Sequence, residues 1–171
     1  MEVEAKHEQC FLRLLFVNVI TSVEAYLSDL FITAIASDKN LLRRFVETNP
    51  DFASEKVALS RLFTTFEEIE QTVRSHLVQL AWHNFARVKP MFQSTLHVSF
   101  PNDLGNLLKA VLVRHDIVHR NGRKTDGSAH DITKEDVKEL IRNARKLILA
   151  IENDWATVRL EEQTDRRSTE C

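Results

Sequence analysis

The sequence is poor in the residues that break regular structure. Its 171 residues hold three glycines, three prolines, two cysteines and one tyrosine. Average usage of glycine and proline is roughly 7% and 5%. So few turn-formers exclude a many-turned β-sandwich, a glycine-rich phosphate loop and a collagen-like chain. The two cysteines, Cys10 and Cys171, show neither metal-ligand spacing nor a disulfide framework. That usage suits a reducing compartment. The opening MEVEAKHEQC is acidic and polar, unlike the basic start of a signal peptide. No uninterrupted apolar run approaches the roughly 18 residues that span a bilayer. These absences predict a soluble cytoplasmic protein with no membrane partner. An excess of one charge is also missing. Lys+Arg is 23 and Asp+Glu is 25, so the net charge is −2. A broadly basic surface is excluded, and any nucleic acid would bind at a local patch.

What is present is helical periodicity. Hydrophobic residues make up 43% of the chain and charged residues 28%, which excludes general disorder. From about Glu4 to Ala36, Phe11, Leu15, Val19, Val23, Tyr26, Leu27, Leu30, Phe31 and Ile35 recur at three- and four-residue steps, predicting one long helix. Asn40 is placed to cap a short helix over Leu41–Thr48, stopped by Asn49-Pro50, with a loop or extended piece over 51–58. A helix over 59–82 would bury Leu62, Phe63, Phe66, Ile69, Val73, Leu77 and Leu80. Residues 84–96 look helical but contain Pro90, which predicts a break or kink. Asn102 is placed to cap a helix running to His119, stopped by Asn121-Gly122. Thr133 and Asp136 resemble a capping box opening a last long helix to about Leu160. The expected architecture is an all-α bundle over residues 1–160, its long first and last helices packing on shorter ones. Residues 161–171 read as a charged, frayed and disordered tail.

Two charges fall on apolar stripes. At about 100° per residue, Arg114 sits amid Leu107, Ala110, Val111, Ile117 and Val118. Glu24 sits amid Val17, Ile20, Leu27 and Phe31 in the same way. A lone buried charge costs several kcal/mol or more, whereas a hydrogen-bonded pair is tolerated. Glu24 and Arg114 are therefore expected side by side where two helices meet. Such a pair either fixes helix register or orients a functional arginine.

Of seven histidines, His7, His76, His83, His97 and His130 are isolated and read as surface or satisfied residues. His115 and His119 are four apart and share one flank beside Arg114. Imidazole is the side chain that exchanges a proton near neutral pH, so the two suit acid/base work. No glutamate lies between them, no third ligand is evident and HExxH is absent, so neither metal nor cofactor is expected. Trp82, Trp155 and the ten Phe read as core rather than as base-stacking platforms.

The string Val113-Arg114-His115-Asp116-Ile117-Val118-His119-Arg120-Asn121-Gly122 resembles the signature of the HEPN superfamily. These are the higher eukaryote and prokaryote nucleotide-binding domains. Arg114 matches the family arginine, His115 the polar residue after it, and His119 the family histidine. The long first helix carrying Val23-Glu24-Ala25-Tyr26-Leu27-Ser28-Asp29 and the long last helix fit too, and the nearest likeness is to the RiboL-PSP-like branch. The resemblance implies a helical two-fold dimer and, in many members, a metal-independent endoribonuclease. Toxin–antitoxin and antiviral systems are its common setting. Others serve as non-catalytic modules that bind a nucleotide, RNA or a partner protein.

RNA cleavage without metal needs a base for the 2′-hydroxyl, an acid for the leaving 5′-oxygen and positive charge for the phosphorane. The expected catalytic residues are Arg114 on the phosphate, His119 in proton transfer and His115 as second proton carrier or phosphate donor. Glu24 and Asp116 would support them. Asp116 ranks lower, because the helical wheel turns it away from the histidines. Arg120, Asn121, Arg123 and Lys124 would form the RNA-binding rim. The expected partners are RNA, a second copy of the chain and a separate antitoxin or sensor protein that controls it.

Overall fold

The computed structural model describes the backbone of residues 2–169 and the side chains of residues 7–164. Cys171 lies outside the described residues. The described chain is all-α, with seven α-helices and no strand. Helix α1 spans Glu2–Ser37, α2 Lys39–Thr48 and α3 Pro50–Ala53. After a 3₁₀ turn at Leu59–Arg61 come α4 (Leu62–Val78), α5 (Phe85–Leu96), α6 (Gly105–His119) and α7 (Lys134–Thr169).

Contacts divide the chain into two compact units. The first joins the chain up to Ala25 with Phe100–Ala150, and the second joins Tyr26–Ser99 with the chain from Ile151 onward. In the first, Leu12, Phe16, Ile20 and Val23 of α1 are buried. So are Leu107 and Ala110 of α6, Ile132 of the following loop, and Val137, Leu140, Ala144 and Leu147 of α7. The core of the second centres on Phe31, which is fully buried. The rings of Phe45, Phe92 and Trp82 lie 5.6, 5.0 and 5.9 Å from it. Such tilted and edge-on packing suits the aromatic quadrupole. The indole N–H of Trp82 donates to the Leu77 carbonyl at 3.1 Å, and Arg44 donates to the Thr95 carbonyl at 2.9 Å.

Local chemistry explains most boundaries. The Thr133–Asp136 capping box forms: the Asp136 N–H donates to the Thr133 hydroxyl at 3.1 Å. The Asp136 carboxylate in turn accepts from the Thr133 N–H at 2.8 Å. At α2 the cap is Asp38 rather than Asn40. Asp38 accepts from the Asn40 N–H at 2.8 Å, so the helix starts earlier than expected. Asn49 ends α2 and, accepting from the Asp51 N–H at 2.9 Å, starts α3, where a loop was expected. Helix α6 starts at Gly105, and its N-cap position is Leu104, without a side-chain cap. Burial of Leu104 outweighs the capping offered by exposed Asn102. Helix α5 continues through Pro90. Proline there deprives only the carbonyl four residues back, and Ala86 is exposed to water.

Three expectations differ more deeply. In α4 only Val73 and Leu77 are buried, while Phe63 and Phe66 are 79% and 76% exposed. The apolar stripe runs the length of the helix, but its first half stands clear of the described chain. Helix α7 extends to Thr169, nine residues beyond the expected end at Leu160. Finally, His7–Ser37 is long and apolar enough, by length and composition, to cross a membrane. Isolated charges and polar residues interrupt its apolar runs but leave the mean hydropathy high. In the structure its buried residues recur at the three- and four-residue spacing of a core helix.

Candidate functional site

The charge pair inferred from the helical wheels forms, inside the first unit. Arg114 Nη2 lies 4.0 Å from Glu24 Oε1, and both side chains are 20% exposed. At that separation they attract without a direct hydrogen bond. The buried Nε of Arg114 has no hydrogen-bond partner. Glu24 thus holds one edge of the guanidinium from α1 without saturating the group.

His115 follows Arg114 directly on α6 and His119 lies one turn beyond it, both exposed, with ring centroids 4.6 Å apart at 45°. Their four-residue spacing on a helix makes them neighbours. Two imidazoles on the solvent side of one turn can give and take protons from the same bound group.

Asp116, turned away from the two histidines, has partners of its own. Its carboxylate joins two side chains, with Arg120 Nη1 at 2.9 Å on one oxygen and His130 Nε2 at 2.9 Å on the other. The hydrogen bond from His130, followed by the charge and hydrogen bond of Arg120, holds the Asp116 carboxyl below the usual aspartate range. Since a carboxylate only accepts, Nε2 of His130 carries the proton. The α6 wheel missed this because the partner arrives from the loop, fourteen residues later.

The expected rim lies along that loop. Arg120, Asn121, Arg123 and Lys124 are all exposed. Asn121 and Gly122 take left-handed backbone, with φ of 53° and 74°, which turns the chain out of α6. The tip closes on itself. The Lys124 N–H donates to the Ser128 carbonyl at 2.8 Å, the Gly127 N–H to the Lys124 carbonyl at 3.0 Å, and Arg123 bridges Ala129. Asp126 accepts from the Ser128 N–H and hydroxyl, and these bonds lower its carboxyl below the ordinary range.

Two residues gained no functional reading from the sequence and sit at this site. Arg13 of α1 donates from Nη2 to the His130 carbonyl at 2.8 Å, and His130 is a satisfied histidine whose partner is Asp116. Neither lies in a motif, and Arg13 is 117 residues from its acceptor. Among the described residues no group of three or more His, Cys, Asp or Glu could hold a metal ion.

The arrangement offers one fixed guanidinium, two adjacent imidazoles and a basic loop, a set suited to a phosphodiester. The family model for RiboL-PSP-HEPN matches residues 2–154. No curated protein and no solved structure matches the chain. The match takes in Glu24, the whole α6 motif and the basic loop, so the chain belongs to the RiboL-PSP-HEPN family, whose functions are nucleotide- and RNA-related and often those of ribonucleases.

Proposed function

We propose that this chain is an intracellular, metal-independent endoribonuclease. The observation that carries the reading is the combination on α6 of Arg114, braced by Glu24, and the exposed His115–His119 pair beside it. In the proposed reaction one imidazole takes the proton of the ribose 2′-hydroxyl. The 2′-oxygen then attacks phosphorus, and the P–O5′ bond breaks. The other imidazole protonates the leaving 5′-oxygen, and the products are a 2′,3′-cyclic phosphate and a 5′-hydroxyl. His119 is assigned the principal proton transfer and His115 the complementary one. General acid–base catalysis of this kind is worth typically 10²–10⁴-fold. Arg114 stabilises the charge that builds on the phosphorane. Arg120, Asn121, Arg123 and Lys124 hold flanking phosphates, with Arg120 contributing least because Asp116 already neutralises it.

The active form is proposed to be a two-fold homodimer. Leu108, Leu112, His115 and His119 follow one another at four, three and four residues, so they share a face of α6. Leu112 is 69% exposed, and Leu108 and Val118 are about half exposed. An apolar face continuous with the histidines favours burial against its copy, bringing a second His119 to the same cleft. Leu112→Glu is expected to yield monomers by sedimentation and to lose activity. Control by a separate antitoxin or sensor polypeptide, in a toxin–antitoxin or antiviral setting, is part of the same proposal.

The test is incubation of purified protein with mixed RNA in excess EDTA. The wild type is expected to cleave, and His119→Ala to be at least a hundredfold slower. Undiminished cleavage by His119→Ala would refute the assignment. Tight RNA or nucleotide binding with no cleavage would select the other reading, a non-catalytic binding module.

A further inference from the structure

The loop that follows α6 is pinned at its neck by groups that the cleavage chemistry leaves unused. His130 alone makes three ties. Its N–H donates to the Gly122 carbonyl at 2.8 Å, closing the neck. Its carbonyl accepts from Arg13 Nη2 at 2.8 Å, which fastens the neck to α1. Its Nε2 lies 2.9 Å from the Asp116 carboxylate, which fastens it to α6. The Gly122 N–H donates in turn to the Asp116 carbonyl at 3.0 Å. One turn earlier on α1, Gln9 grips the exit of the loop. Its amide donates to the Ile132 carbonyl at 2.9 Å and accepts from the Ile132 N–H at 3.1 Å.

Arg13 packs against Gly122 as well. A Cβ on Gly122 would fall 2.7 Å from Arg13 Nη1 and 2.8 Å from Cζ, and the φ of 74° disfavours any other residue. Glycine at this position leaves room for the guanidinium against the neck. Arg13 is half-buried behind the loop, whereas Arg123 and Lys124 are exposed on it.

The tip, as described above, is closed by its own turn. Its orientation relative to α6 is therefore set by the neck. We infer that Arg13 and His130 are positioning residues, which hold the 121–130 loop so that Arg123 and Lys124 meet RNA phosphates at a fixed distance from His119. The inference rests on the ribonuclease reading above. The physical advantage is preorganisation: a loop already ordered does not lose that freedom when RNA binds.

Hydrogen exchange on the full chain, without RNA, tests the pinning. In Arg13→Ala the neck amides of Gly122 and His130 are expected to exchange at least tenfold faster, while those of Lys124 and Gly127, bonded within the tip, stay close to wild type. Those of Leu147 and its neighbours in α7 are expected to be unchanged. His130→Ala is expected to give the same local pattern. Neck amides unchanged in both variants would overturn the inference, whatever the chain does to RNA.

RNA kinetics test the consequence. Arg13→Ala is expected to raise KM about tenfold and leave kcat within about twofold. The slope of log affinity against log salt is expected to fall by about 1.4, from two phosphate contacts at roughly 0.7 each on a single strand. Arg123→Ala is expected to weaken binding in the wild type but add little in Arg13→Ala. Full additivity, or an unchanged salt slope, would overturn the positioning role. Absence of cleavage by the wild type would sink the ribonuclease reading, and the exchange data would still decide the pinning.

Discussion

Glu24→Gln is the substitution that most sharply probes the bracing of Arg114. The shape is conserved and only the charge is lost. At 4.0 Å the two unit charges attract by about 4 kcal/mol at an effective dielectric of about 20. Each side chain is 20% exposed, so solvent screens part of that and desolvation cancels more. Breaking a fully buried pair costs roughly 3–5 kcal/mol, because an uncompensated charge remains. For this partly exposed pair a loss of about 1–3 kcal/mol is expected. Urea unfolding of wild type, Glu24→Gln, Arg114→Met and the double variant measures it. The expected coupling energy is about 1–2 kcal/mol, and removing both partners is expected to cost less than the sum of the single losses. Cleavage by folded Glu24→Gln is expected to fall at least tenfold, because an unbraced guanidinium no longer holds one position. A coupling below about 0.3 kcal/mol would refute the idea that Glu24 braces Arg114.

Four further outcomes follow from the structure. Burial, and then the charge of Glu152, push the Tyr26 hydroxyl up to about 12. Tyr26 is the only tyrosine in the chain, so tyrosinate absorbance reads it directly, and a native midpoint near the ordinary value of about 10 would contradict its environment. Because the folded value is raised, its contribution to stability is complete below about pH 10 and is lost as pH climbs through about 12. The Tyr26 hydroxyl is buried without a hydrogen-bond partner, so Tyr26→Phe is expected to raise stability by up to about 1 kcal/mol in urea. Asp116 is shifted the opposite way, so its contribution is present above the ordinary aspartate range and lost as pH falls through its lowered value. Asp116→Asn is expected to flatten the acid limb of the stability profile, and an unaltered limb would deny the His130 bond. In the second unit, Phe31→Ala is expected to cost about 3–5 kcal/mol, whereas the Phe63→Ser, Phe66→Ser double variant is expected to change stability by less than about 1 kcal/mol. Equal losses in thermal unfolding would show that the first half of α4 is covered.

What was legible in the sequence was local, or contradictory within one element. The helices declare themselves by period, and Thr133–Asp136 declares a cap by spacing. Glu24 and Arg114 could be paired because each charge violates its own apolar stripe, and mutual neutralisation resolves both violations. The exposure of Phe63 and Phe66 was not legible. An apolar stripe has the same period whether the chain covers it or leaves it bare, and only the tertiary arrangement decides. The His130 partner of Asp116 was not legible, because a helical wheel sees one helix while His130 approaches from a loop. Arg13 was invisible for the same reason: nothing near position 13 signals an acceptor beyond residue 120. The short apolar runs of the first helix hid a high mean hydropathy, since single charges interrupt a run but barely lower an average. Competing caps such as Asp38 and Asn40 are separated only by which side chain reaches a free N–H.

In the proposed reaction the 2′-hydroxyl of the substrate is the nucleophile, driven by imidazoles on α6. An oligoribonucleotide with a mapped cleavage site is compared, in EDTA, with the same strand carrying a single 2′-deoxy residue at that site. Cleavage of the all-ribose strand to a 2′,3′-cyclic phosphate, with the 2′-deoxy bond left intact, is the expected result. Scission of the 2′-deoxy bond at a similar rate would contradict the account.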